Sequence, residues 1–216
     1  MNASTENMLL YYAPGSASFL VHWLLIELEL PHRLHLVDTA AKAQKSPEYL
    51  ALNPNGVVPT LVIEGKPQYE AAALAMLLAE RHPDAQLAPL PDDSQRADYV
   101  QWMLNLANMV QPLFRQWWYP GEPAGEANAE TVRTHCAPRI EKEWARIDAH
   151  LAANGPYLLG EAPSVADFYL TMLMRWSRNM PKPATEWPQL AALAQRMKAR
   201  PSFKVLYERE GLTEWA

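Results

Sequence analysis

Asn53-Pro54-Asn55-Gly56-Val57-Val58-Pro59-Thr60-Leu61 is the stretch whose reading decides the fold. Turn-forming Asn-Pro and Asn-Gly pairs lead into an apolar run that opens directly behind a proline. That proline suggests a fixed turn. A cis Val58–Pro59 bond is one way to make it and a plain loop proline is another, since only about 5–6% of X–Pro bonds in folded proteins are cis. A cis turn would leave the Val58 backbone N–H and C=O free at a sheet end, able to pair with an extended peptide ligand.

Working outward, Thr60–Ile63 reads as a strand, and Glu64-Gly65 turns it into a second at 67–69. Pro67 cannot donate a ladder hydrogen bond, which places that strand at a sheet edge. Upstream, Met8–Tyr12 is a strand stopped by Ala13-Pro14-Gly15, and Leu20, Trp23, Leu24 and Leu28 mark a helix face. A further strand follows at 34–37. A crossover helix between the two strands makes them parallel. Leu74, Leu77, Leu78 and Arg81 mark a closing helix before Pro83. Strand, helix, strand, short helix, strand, strand, helix is one mixed sheet flanked by helices.

Residues 83–93 are rich in Pro and Asp and read as a linker. Everything beyond is helical in period. Tyr99, Met103, Leu106, Val110, Leu113 and Trp117 form one stripe; Val132, Cys136, Ile140, Ile147 and Leu151 form a second. Val165, Phe168, Tyr169, Met172, Leu173 and Trp176 form a third. Two shorter helices at 188–199 and 202–210 finish the chain. The expected class is α/β plus all-α: a domain over 1–82, the linker 83–93, and a helical domain over 94–216.

Composition narrows the function. Hydrophobic residues at 49% and charged residues at 20% describe a globular chain rather than a disordered one. The 19 Lys and Arg against 24 Asp and Glu give a net charge of -5, and neither domain holds the basic excess that a nucleic-acid backbone requires. No run approaches the roughly 18 apolar residues of a membrane span. Residues 1–7 are polar and lack the order of a secretory signal. One cysteine, Cys136, excludes an internal disulfide, fits a reducing cytoplasm, and reads as a small core hydrophobe. His32 and His35 sit beside a strand rather than on one helix face, so no metal site is expected. Ser164 and Asp167 read as a helix-starting capping box without chemistry.

Ser16 is the leading candidate for catalysis. It follows a strand and opens a helix, where N–H groups and the dipole favour an anion. A plain helix N-cap explains the same placement, and Ser18, then Tyr11 or Tyr12, are rivals.

The Val58-Pro59 stretch with Glu70-Ala71, the Tyr11-Tyr12-Ala13-Pro14-Gly15-Ser16 run, and Tyr157-Leu158-Leu159-Gly160 followed by Ser164-Val165-Ala166-Asp167-Phe168 together resemble the cytosolic glutathione transferases over nearly the whole chain. The resemblance implies a thioredoxin-like domain and a helical bundle, and a soluble cytoplasmic homodimer with glutathione as co-substrate and no metal. It implies that Ser16 stabilises the glutathione thiolate. Val58 with Pro59 would align its cysteinyl backbone, and Glu70 with Ala71 would hold the γ-glutamyl end. Lys45, beside Gln44, would meet the glycine end. Asn108, Arg115 and Trp118 would line a cleft for a small hydrophobic electrophile, and Trp117 continues the core stripe. Two departures stand out. Ala71 replaces the usual serine. Ala17 stands where the bacterial cysteine type has its cysteine, and no basic pair stands near Asn108, which argues against that type's mixed-disulfide mechanism.

The leading expectation is a glutathione transferase. The alternatives are a non-catalytic binding module on the same fold, and a glutathione-dependent isomerase, dehalogenase or ether-cleaving enzyme.

Overall fold

The computed structural model describes residues 7–215. Most of the polar amino-terminal stretch therefore lies outside the described residues. The chain divides into two compact units. One takes in residues up to Gln86 together with Arg200–Glu214, and the other takes in Leu87–Ala199. The segment Arg200–Glu214, grouped by sequence with the helical domain, packs with the sheet-bearing unit.

The first unit is built on β1 (Met8–Tyr12), α1 (Ser18–Glu27), β2 (His32–Leu36), α2 (Pro47–Leu50), β3 (Thr60–Ile63), β4 (Lys66–Tyr69) and α3 (Ala71–Arg81). The sheet order is β2-β1-β3-β4. The β1–β2 pair is parallel and the β1–β3 and β3–β4 pairs are antiparallel. Pro67 lies on the edge strand, where its missing N–H costs nothing.

The expected amphipathic stripe of α1 is instead a helix buried on all sides: Phe19, Val21, His22 and Leu25 are as inaccessible as Leu20, Trp23 and Leu24. The reason is a final helix of the same unit, Pro201–Glu210, which packs on α1 through Phe203 and Tyr207. A helix covered on every face has no polar stripe to show.

The second unit contains α4 (Arg96–Asn105), α5 (Gln111–Trp118), α6 (Gly121–Ala124), α7 (Ala129–Asn154), α8 (Val165–Trp176) and α9 (Pro188–Lys198); Pro201–Glu210 of the first unit is then α10. Its core holds Tyr99, Phe114, Ile140, Trp144, Phe168 and Tyr169. The long first stripe is not one continuous α-helix. A π-helical turn, Leu106–Val110, separates α4 from α5, and the Gln111 N–H reaches the Leu106 carbonyl five residues back. Pro112 has no N–H for the carbonyl four residues earlier, so the α ladder cannot run through this point. Cys136 is fully buried, and burial pushes its thiol pKa up. Among the described residues no helix is long and apolar enough to cross a membrane.

Candidate functional site

Strand register gathers the candidates of the first unit. Tyr11 near the end of β1 pairs with Thr60 at the start of β3, and Thr60 pairs with Tyr69 at the end of β4. Whatever follows β1, precedes β3 and follows β4 therefore meets at one end of the sheet. Those segments carry Ser16, Val58-Pro59 and Glu70.

The loop before β3 is held from within. Asn53 is buried; its side-chain amide donates to the Val57 carbonyl at 2.8 Å and its Oδ1 accepts the Asn55 N–H at 3.0 Å. The Tyr49 hydroxyl donates to the same Val57 carbonyl at 2.8 Å and accepts from Thr60 Oγ1 at 2.9 Å. Burial is the main reason that hydroxyl's pKa is raised. Gly56 turns the chain at φ +58, where a Cβ would meet the Gln44 carbonyl at 2.9 Å, so this position requires glycine. Val58–Pro59 is cis. Val58 is half-buried, and its N–H and C=O have no hydrogen-bond partner among the described residues.

Asn55 links the neighbouring candidates. Its carbonyl accepts from Lys45 Nζ at 3.3 Å, and its side chain donates to Glu70 Oε1 at 3.3 Å. Glu70 occupies the N-cap position of α3 at φ +74 with its carboxylate in solvent. A left-handed conformation costs a non-glycine residue about 1–3 kcal/mol, and such strain clusters at ligand clamps. Ala71 is buried and opens α3, so its backbone N–H belongs to the unsatisfied first turn.

Ser16 lies in the loop between β1 and α1, partly exposed. It is not the N-cap of α1, a position held by Ala17, although its Oγ accepts the Ser18 N–H at 3.3 Å. Ser18 is fully buried. Its Oγ accepts the Ala13 N–H at 3.2 Å and donates to the Ala13 carbonyl at 3.1 Å, so its single proton is committed. Ser16 Oγ, 2.9 Å from Ser18 Oγ, is then the donor of that pair. The Tyr12 hydroxyl is pushed up in pKa by burial and by the charge of Glu210, and the Tyr11 ring lies against His35 and Tyr49.

The other three candidates belong to the second unit. Asn108 is exposed within the π turn. The Arg115 guanidinium grips the Glu122 carboxylate, with Nε 2.7 Å from Oε2, and lies 4.1 Å from the centre of the Tyr119 ring. Trp118 is partly exposed; its indole N–H donates to the Trp176 carbonyl at 3.2 Å, and Arg178 lies over its ring at 5.2 Å. Trp118 and Tyr119 leave an aromatic surface at the end of α5. Among the described residues no group of three or more His, Cys, Asp or Glu could hold a metal ion.

Sequence reasoning passed over Tyr49, Asn53 and Asn55 as individual residues, although all lie in or beside the motif it singled out. It missed His22 and Glu210 entirely. An acid at the end of the last helix, and a histidine within an apolar helix, gave no signal of their own.

One end of a thioredoxin-like sheet thus collects a hydroxyl loop, unpaired strand-end backbone and an acid at a helix start. The amino-terminal domain of glutathione S-transferases matches residues 16–81, and their C-terminal domain matches residues 107–208. Glutathione S-transferase GST-4.5 of Xanthomonas campestris is 32% identical, across 95% of this chain and 100% of its own. A maleylacetoacetate isomerase of Rhizobium meliloti is 28% identical, across 93% of this chain and 95% of its own. The crystal structure of a glutathione transferase homologue from Sulfitobacter with bound glutathione matches with a TM-score of 0.88 at 28% identity, covering 96% of this chain and 99% of that one. The chain belongs to the glutathione S-transferase family.

Proposed function

We propose that this protein is a glutathione transferase in which Ser16 stabilises the glutathione thiolate for attack on a small hydrophobic electrophile. The observation that carries the reading is the convergence of Ser16, Val58 and Glu70 at one end of the sheet, fixed by the Tyr11–Thr60–Tyr69 register. Val58 offers an unpaired N–H and C=O to the cysteinyl backbone. Glu70 offers a carboxylate to the γ-glutamyl ammonium, and the first turn of α3, from Ala71 on, offers N–H groups to its carboxylate. Lys45, tied to Asn55, offers a cation to the glycine carboxylate.

Ser16 is favoured over Ser18 because the Ser18 proton is committed to Ala13 in a buried bond. The Ser16 hydroxyl can rotate from Ser18 to an arriving sulfur, and the Ser18 N–H remains on its oxygen. Lowering a thiol pKa by about two units takes about 2.7 kcal/mol. A hydrogen bond to a charged group supplies about 1.5–3 kcal/mol and a helix start about 0.3–1 kcal/mol more, which is sufficient. The thiolate then forms a C–S bond as the leaving group departs with its electron pair, gaining rate by being held close to the carbon. The family resemblance extends the reading to a cytoplasmic homodimer.

Ultraviolet titration with glutathione across pH tests this directly. Saturable binding with a bound-thiol pKa well below that of free glutathione is expected, and Ser16→Ala should raise that pKa by about one to two units with little change in melting temperature. An unchanged bound-thiol pKa in Ser16→Ala removes the serine from the mechanism. The isomerase relative supports a second reading, glutathione-dependent isomerisation. Turnover that leaves the glutathione concentration unchanged would select it.

A further inference from the structure

We propose that Glu210, at the end of α10, is a positioning residue for the Ser16 loop: its carboxylate holds the Gly15 amide, and His22 holds the carboxylate. This rests on the reading of Ser16 given above. Glu210 Oε2 accepts the Gly15 N–H at 2.7 Å, and Oε1 lies 2.8 Å from His22 Nδ1. Both side chains are wholly inaccessible. A carboxylate only accepts, so His22 carries its proton on Nδ1 and donates it. Its other nitrogen, Nε2, has no partner among the described residues, and its ring is flanked by those of Tyr12 and His32.

An acid in this place is adverse twice over. Burial disfavours its charge, and the carboxyl end of a helix already carries partial negative charge. An apolar residue would pack there without either penalty, as Phe203 and Leu206 do earlier on α10. What the acid adds is two directed bonds, one to α1 and one to the residue before Ser16.

The loop itself shows why that bond matters. Gly15 turns the chain at φ +66. Residues 13–18 are tied on one side by Ser18 Oγ to the Ala13 backbone. Glu210 ties the loop at Gly15, and Ser16 sits between these anchors. A chain segment 195 residues away thus fixes where the serine hydroxyl stands.

The test uses the full chain with Glu210→Gln, which keeps an acceptor for Gly15, and Glu210→Met, which removes it at similar volume. The readouts are the bound-thiol pKa by thiolate absorbance, kcat and KM, and amide hydrogen exchange of residues 13–18. Glu210→Met is expected to raise the bound-thiol pKa by about one unit and, below that pKa, to lower kcat about tenfold. The glutathione KM should stay within about threefold and residues 13–18 should exchange faster. Glu210→Gln is expected to stay within about 0.3 pKa units of the wild type or slightly below it. A folded Glu210→Met with an unmoved thiol pKa overturns the proposal, as does a Glu210→Gln that fails equally. If Glu210→Met does not fold, Glu210→Gln decides alone, a rise of about one unit counting against. A wild-type chain with no depressed thiol defeats the Ser16 reading instead. Exchange in Glu210→Met then judges the anchor by itself: faster supports it and unchanged overturns it.

Discussion

Two loops meet at the same end of the sheet and are built on opposite principles. Residues 53–60 are held by neighbours in sequence: Asn53 and Tyr49 share the Val57 carbonyl, and Tyr49 closes on Thr60. Residues 13–18 are held in part by Glu210, which lies at the far end of the chain. In the proposed function the first loop offers backbone to glutathione and needs only a correct main-chain path. In the same proposal the second offers one hydroxyl, whose position would be useful only to within a fraction of an ångström. A short polar loop has too few groups of its own to hold a hydroxyl that firmly, so it takes an anchor from elsewhere. Local anchors should therefore govern stability and ligand affinity, and the distant one the chemistry of the thiol.

The largest stability effect is expected where a local anchor is most deeply buried. Asp167 at the start of α8 accepts from the Leu158 N–H at 2.9 Å, the Ser164 N–H at 2.8 Å and Ser164 Oγ at 3.1 Å. Asp167→Ala strands two buried N–H groups and should cost about 4 kcal/mol in chemical denaturation. Burial outweighs those donors and lifts the carboxyl from 3.8 to about 6. The folded chain therefore holds a proton that the unfolded chain releases between those values, and this group's contribution to stability falls as pH rises through about 6. Asp167→Asn cannot titrate. Its deficit against wild type should be larger near pH 4 than near pH 7, by about 3 kcal/mol at most. A deficit independent of pH would show that the donors cancel the effect of burial, and a deficit larger near pH 7 that they outweigh it.

The same contrast explains what could be read from sequence. The strands, the edge position of Pro67, the 53–61 motif and the Ser164–Asp167 helix start were legible because each is specified by residues within a few positions of one another. Glu70 and Ser16 were legible as candidates because turn and helix-start chemistry marks them locally. Glu210 was not, because its meaning lies in Gly15 and His22, and an acid on a terminal helix ordinarily faces water. The all-round burial of α1 was hidden for the same reason: α10, which covers it, comes from the other end of the chain. The π turn was obscured because the apolar stripe continues through Leu106 and Val110 while Pro112 interrupts the ladder beneath it.

Within the 53–60 loop, Asn53→Ala is expected to have the next largest effect. It removes a buried side chain with two short-range bonds, leaving the Asn55 N–H and half of the Val57 carbonyl's partners unmet. A loss of about 2 kcal/mol is expected, with a several-fold rise in glutathione KM and a bound-thiol pKa that stays in place. A thiol pKa that moved with Asn53 would break the division of labour between the two loops, because it would mean that the Val58 backbone and the Ser16 hydroxyl act as one unit.

Tyr49→Phe is the smallest and sharpest case. It deletes one hydroxyl that donates to Val57 and accepts from Thr60, and leaves the ring packed against Tyr11. About 1 kcal/mol should be lost. Because burial raises the Tyr49 pKa above its ordinary 10, the hydroxyl keeps its proton where the unfolded chain would begin to lose it. Its contribution is complete below that ordinary value and is lost only as pH rises through the higher folded one. Wild type and Tyr49→Phe should therefore differ by a constant amount from neutrality to about pH 9 and converge only in stronger alkali. Convergence near neutrality would mean that Asn53 alone carries the Val57 carbonyl, and that the loop has one local anchor rather than two.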